Sequence, residues 1–161
     1  MPLRGENFDG HAFIGQASER GAVGAIVEEN WKGTTPKAFA LIRVPDTLAG
    51  YQTLAANYRK SLPLKVIVIT GSNGKTSTKD FVAATLSRGF RVTKTEGNFN
   101  NHVGLPQTML AASSNDAVAV WTIGMTLPGE LATLSNPSSP DAPIIHHAAP
   151  AHTYCRRPPP V

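Results

Sequence analysis

The chain has 161 residues, 41% of them apolar and 16% charged, with 15 basic against 11 acidic side chains and a net charge of +4. That length holds one domain, or one and part of another, and the apolar share excludes disorder along the whole chain. No run of about 18 apolar residues is present to span a membrane, Met1–Asp9 lacks the apolar stretch of a secretory signal, and the single Cys155 excludes an internal disulfide framework. The basic residues are scattered rather than striped, which argues against nucleic-acid binding. A cytoplasmic globular protein is the expectation.

Gly10–Arg20 reads as a short helix with Phe13, Ile14 and Ala17 on one face and Gly21 as its stop. Ala22–Val27 and Phe39–Val44 read as strands. Asp46 suits the N-cap of a helix over Thr47–Lys60, whose Leu48, Tyr51, Leu54, Ala55 and Tyr58 have helical spacing. After the break at Ser61-Leu62-Pro63, Leu64–Thr70 is a continuous β-branched run, as in a strand buried on both faces of a parallel sheet. Thr76–Arg88 follows as a helix with Phe81, Val82, Thr85 and Leu86 inward. Arg91–Thr95 is a strand, Leu105–Ala112 a helix with Pro106 in its first turn, Ala117–Ile123 another buried strand, and Ala142–His146 the next candidate. The alternation predicts an α/β fold with a doubly wound, mostly parallel sheet. Eight of the 13 prolines lie at or beyond Pro128, so regular structure should thin there, and Thr153–Val161 reads as a disordered tail.

The most informative stretch is Thr70-Gly71-Ser72-Asn73-Gly74-Lys75-Thr76-Ser77, between a buried strand and an amphipathic helix. Gly71 and Gly74 let backbone N–H groups turn around an anion, and the helix N-terminus adds its partial positive charge. Lys75 offers a cation for the outer phosphates of a nucleotide, and the Thr76 hydroxyl can ligate Mg²⁺. The spacing is G-x-x-G-K-T, shorter than the general G-x-x-x-x-G-K-[ST], because Ile69 stands where the earlier glycine would be. The plain alternative is a tight strand-to-helix turn without a ligand.

This shortened loop resembles the ATP-binding signature of the Mur ligases and their folylpolyglutamate synthetase relatives. Thr95-Glu96-Gly97-Asn98-Phe99-Asn100-Asn101-His102-Val103-Gly104-Leu105-Pro106 is similar to the T-E-G-N-x-N-N-x-x-G-x-P stretch of the branch that adds D-alanyl-D-alanine to a UDP-linked muramoyl tripeptide. Leu3–His11 resembles that branch's N-terminal domain, Gly124-Met125 with Pro128-Gly129-Glu130 a later loop and helix, and Ala149-Pro150-Ala151-His152 an A-x-A-H site. The resemblance implies an ATP-dependent ligase of peptidoglycan precursor synthesis that activates a carboxylate as an acyl phosphate for attack by an amine. Residue by residue, it implies ATP on Gly71, Ser72, Asn73, Gly74, Lys75, Thr76 and Ser77, with Lys75 and Asn98 in the catalytic step. It implies the UDP-linked muramoyl peptide near Glu6, Asn7 and Phe8 and near Asn98, Asn100 and Asn101, and Mg²⁺ on Thr76 with a second metal near His152.

Read from the residues alone, Asn98–Asn101 could equally be a turn, Trp121 is core, and His146–His147 point to opposite faces of a strand and make a poor metal pair. The pattern also breaks. Thr122 stands where the family has an acidic Mg²⁺ ligand, and His146–His147 stand where it has asparagine. The expected organisation is a partial UDP-substrate domain over 1–62, a partial ATP-binding domain over 63–152 and a tail over 153–161. A chain so composed is expected to be a fragment that binds nucleotide without turning over by itself. The competing readings are a non-catalytic nucleotide-binding remnant and an unrelated P-loop NTPase or small-molecule kinase. The sequence leaves the oligomeric state open.

Overall fold

A computed structural model of the chain describes residues 1–5, 7–124, 134 and 137–146. The chain divides into two compact units, Met1–Thr53 and Leu54–Val161. The predicted tail and the Pro128–Glu130 segment lie outside the described residues.

The first unit opens with two short antiparallel strands, β1 (Arg4–Gly5) and β2 (Phe8–Asp9), which the sequence pattern does not signal. A 3₁₀ turn over Gly10–Phe13 leads into α1 (Ile14–Glu19). β3 (Gly24–Glu28) and β4 (Ala40–Val44) pair in parallel, with Gly24 opposite Ala40 and Glu28 opposite Val44. On the short helix only Ile14 is buried; Phe13 and Ala17, expected beside it, are not. Three positions are too few to fix the rotation of so short a helix. The buried polar centre is His11. Its Nδ1–H donates to Asp9 Oδ1 at 2.6 Å, its Nε2 accepts the Glu28 N–H at 3.3 Å, and its ring stacks on Trp31 at 5.9 Å. Both ring nitrogens are therefore satisfied, as a buried imidazole requires.

Helix α2 (Thr47–Ser61) starts where Asp46 Oδ1 accepts the Ala49 N–H at 2.8 Å, the capping role its position predicted. The division between the units falls inside α2. Its later half belongs to the second unit, where Ala55 and Arg59 are buried and Tyr58 Oη–H donates to the Ala112 carbonyl.

The second unit is a four-stranded parallel sheet in the order β6-β7-β5-β8. Its strands are β5 (Lys65–Thr70), β6 (Val92–Lys94), β7 (Val118–Thr122) and β8 (Ala142–Ile145), and its helices α3 (Lys75–Leu86) and α4 (Gly104–Ala111). The step from β5 to β6 crosses the sheet one way and the step from β6 to β7 returns. Right-handed crossovers then put α3 and α4 on opposite faces. The burial of alternate strand residues records this. Val66, Val68, Ala119, Trp121 and Ile123 pack with Leu105, Met109 and Ala55 on one face. Ile69, Val118 and Val120 pack with Ala83, Val82 and Leu86 on the other. The expected doubly wound α/β sheet is what the second unit shows.

The inward face of α3 is a correction to the sequence reading. Lys79 and Ala83 are buried and Val82 and Leu86 half-buried, whereas Phe81 is 76% exposed and Thr85 is exposed. Counting apolar residues turns the helix toward its phenylalanine. The structure instead buries a lysine, which finds a carbonyl partner on the inner side.

Candidate functional site

All four strands of the second unit run the same way, so their carboxyl ends form one edge. Ligands of open α/β sheets bind at such an edge, where crossovers leave a crevice. Four segments meet there: the loop after β5, the loop after β6, the end of β7 and the residue after β8.

The loop after β5 is Gly71–Gly74. Gly71 has φ +146° and Gly74 has φ +75°, the latter as the left-handed residue immediately before α3. Both conformations favour glycine, because a Cβ would crowd the following backbone. The loop is also closely covered: a Cβ on Gly71 would fall on the His146 carbonyl oxygen, and one on Gly74 would lie 2.8 Å from the His146 ring. Lys75 folds back so that its ammonium donates to the Gly71 carbonyl at 2.6 Å, laying the cation across the loop. Ser72 is half-buried, and Asn73, Thr76 and Ser77 are exposed. Backbone N–H groups, a helix N-terminus and a half-buried ammonium are thus collected at one spot, the donor set of an anion site.

The loop after β6 is pinned from both sides. The buried Lys79 ammonium donates to the Thr95 carbonyl at 2.8 Å, and the Thr122 N–H donates to Thr95 Oγ1 at 3.0 Å. Downstream, the Asn100 carbonyl accepts the Gly124 N–H at 2.7 Å, and the Ile123 carbonyl accepts the Thr70 hydroxyl at 3.1 Å. Asn98 is exposed and Asn100 half-buried. Asn101 serves the helix that follows it. Its Oδ1 accepts the Val103 and Gly104 N–H groups at 3.1 and 2.8 Å and caps α4. Gly104 admits this turn, since a Cβ there would lie 2.5 Å from Phe99 Cα. A groove of about 530 Å³ between α3, β6 and α4, with Lys94, Glu96 and Phe99 in its wall, lies beside this loop.

The residues nominated from sequence separate into three groups. Gly71 to Ser77, Asn98 and Asn100 line one edge of one unit, with Asn101 next to them as the cap of α4. Asn7 and Phe8 are exposed at the β1–β2 turn of the first unit. Glu6 and His152 lie outside the described residues. Thr122, which stands in place of an acidic metal ligand, is buried and its backbone is tied to Thr95. Among the described residues no group of three His, Cys, Asp or Glu side chains could hold a metal ion. The loop's own donors suit phosphate oxygens, and the exposed Thr76 and Ser77 hydroxyls stand at the same helix start.

Sequence reasoning gave no role to Lys79 or to Thr95, and it weighed His146 only with His147, as a poor metal pair standing where the family has asparagine. Lys79 had a signal: it lies four residues after Lys75 and four before Ala83, on the face that packs inward. The placement of His146 over the loop had none, because it depends on which strand lies beside β5.

The model for the Mur ligase middle domain matches residues 69–153, from the end of β5 onward. The UDP-N-acetylmuramoyl-tripeptide–D-alanyl-D-alanine ligase of Bacillus subtilis is 47% identical over 152 residues, covering 94% of this chain and 33% of its own length. The corresponding ligase of Escherichia coli is 36% identical over the same coverage. Among solved structures, MurF from Acinetobacter baumannii superposes with a TM-score of 0.82 at 34% identity over 89% of this chain and 31% of its own. The MurF ligase of Thermotoga maritima, solved in complex with ADP, does so with a TM-score of 0.80 at 29% identity over 91% of this chain and 33% of its own. The chain thus spans about a third of the length of the curated relatives it matches. The loop Gly71–Lys75 and the asparagine loop lie at one sheet edge, and with these matches the chain belongs to the Mur ligase family.

Proposed function

We propose that the chain carries the ATP-phosphate site of a ligase that joins D-alanyl-D-alanine to a UDP-linked muramoyl tripeptide in the cytoplasm. The observation that carries this reading is the loop Gly71–Lys75: two positive-φ glycines and a folded-back ammonium at the carboxyl edge of a parallel sheet, in a chain 47% identical to such a ligase. Residues 63–152 would serve ATP, and residues 1–62, with Glu6, Asn7 and Phe8, the UDP-linked substrate.

In the proposed reaction a substrate carboxylate oxygen attacks the γ-phosphorus and ADP leaves. The amine then attacks the acyl carbon and releases phosphate. Charge accumulates on the phosphoryl oxygens in the first step. Lys75, released from the Gly71 carbonyl, would neutralise it together with the loop N–H groups. Asn98 and Asn100, at the same edge, would hold the acyl-bearing substrate. Thr76 would hold Mg²⁺, which would supply charge screening at the phosphates, and Thr122, a neutral hydroxyl, would add no compensating charge. Such an ion keeps several waters and needs few protein ligands. Nucleotide binding is the activity that the Gly71–Lys75 loop supports.

The test is titration of the chain with MgATP beside Lys75→Ala. A hydrogen bond to a charged group is worth about 1.5–3 kcal/mol, so affinity should fall roughly 10- to 150-fold in the variant. Equal affinity of the two proteins would remove the reading.

A further inference from the structure

His146 is the first residue past β8, and it reaches the phosphate loop at Gly71, Asn73 and Gly74. Its N–H donates to the Thr70 carbonyl at 2.7 Å, carrying the β5–β8 ladder to the threshold of the loop. Its carbonyl occupies the space that a side chain on Gly71 would need. Its ring lies over Gly74, with Cε1 and Nδ1 at 2.8 and 2.9 Å from the position of a Cβ there. Its Nδ1 lies 3.1 Å from the Asn73 carbonyl oxygen.

The chemistry of that last contact is one-sided. A carbonyl oxygen only accepts, so Nδ1 must carry the proton. The bond turns the Asn73 carbonyl toward β8. A trans peptide is planar, with C=O and N–H on opposite sides. Fixing the Asn73 carbonyl therefore fixes the Gly74 N–H pointing away from His146, where an anion in the loop can accept it. Gly74 is the residue whose left-handed conformation makes the loop, and glycine by itself holds that conformation weakly. An imidazole from the neighbouring strand supplies the restraint that glycine lacks.

Resting on the phosphate-loop reading, we propose that His146 is a positioning residue for nucleotide binding: through Nδ1–H to the Asn73 carbonyl it sets the Asn73–Gly74 peptide in the orientation that receives phosphate. The bond is solvent-accessible and neutral in its acceptor, so its loss should cost about two- to tenfold in affinity.

The experiment measures MgADP affinity of the 161-residue chain and of four variants, each checked for an unchanged far-UV spectrum. His146→Ala should weaken binding about two- to tenfold. His146→Asn should retain most of the affinity, because the Asn side-chain nitrogen stands at the branch position that Nδ1 occupies. His146→Gln places its nitrogen one bond further out and should not restore it, although it fills more space than Asn. Lys75→Ala reports on the site itself. Imidazole ¹⁵N shifts of the free chain at about pH 9, above the ordinary histidine range, should show the Nδ1–H tautomer. His146→Ala binding as tightly as the parent while Lys75→Ala loses affinity would overturn the inference and leave the phosphate loop standing. Equal rescue by Asn and Gln, or an Nε2–H tautomer, would also overturn it. No binding by the parent chain would remove both.

Discussion

At the scale of single residues, the site depends on positions where only one side chain fits. Gly71 combines φ +146° with the His146 carbonyl where a Cβ would go. Gly71→Ala should cost at least about 1–3 kcal/mol from backbone strain alone, read as a lower thermal midpoint with loss of nucleotide binding. A variant as stable as the parent would mean that the β8 end moves aside freely. Lys79 is the opposite kind of residue, a charge placed inside. Its ammonium is buried yet donates to the Thr95 carbonyl and lies 3.5 Å from Asp80, so the cost of burial is met by partners. The sequence places Lys79 on a helix face but assigns it no partner. Thr95 lies 16 positions further on and reaches Lys79 only because β6 lies beside the sheet face of α3.

At the scale of elements, the strands are more legible in the sequence than the helix faces. β5 and β7 are continuous apolar runs, and their burial on alternate sides by α3 and α4 follows from the parallel sheet. The face of α3 is misjudged because Phe81 outweighs Lys79 in an apolar count. A residue's final exposure depends on what the neighbouring element offers. The asparagine loop carries a similar ambiguity. The resemblance nominates Asn101 for substrate, and its oxygen caps α4. Asn101→Ala should therefore lower stability by about 1 kcal/mol, with Asn101→Asp close to the parent. Urea transitions of the three proteins decide this. A loss of MgADP affinity without a loss of stability would return Asn101 to the ligand.

At the scale of the whole molecule, three carboxylates share a direction. Asp9 is held below the usual carboxylate value by the His11 N–H, with the His11 ring and Arg4 adding to it. Asp80 is lowered chiefly by its hydrogen bond from Lys94. Asp141 is lowered by hydrogen bonds from Lys65 and from the Val66 N–H, with Arg59 beyond. Each binds its proton more weakly when folded than when unfolded. Their contribution to stability is thus fully present above the ordinary value of 3.8 and is lost as pH falls through the lower folded values. Lys94 is raised by Asp80, so its share persists below 10.5 and is lost as pH rises through the higher folded value. The expected acid unfolding begins below about pH 4. In Asp141→Asn the curve should flatten there, and an unchanged acid limb would show that the Asp141 cluster at the start of β8 contributes nothing. That cluster matters to the site because β8 brings His146 to the loop.

The sequence by itself determined the elements and the kind of chemistry. Periodicity and turn residues placed β3 to β8 and α1 to α4, and the spacing G-x-x-G-K-T together with the asparagine stretch pointed to phosphate and to the Mur ligases. These signals are local: a run of β-branched residues, a cap, two glycines before a lysine. Tertiary structure decided what depends on neighbours distant in sequence. It placed β8 rather than β6 beside β5, and so laid His146 over Gly71 and Gly74. It gave Lys79 a carbonyl to bond, and it paired His11 with the Glu28 backbone and the Trp31 ring. Strand order is set by how crossovers pack on two faces of a sheet, and no stretch of the chain carries that information alone.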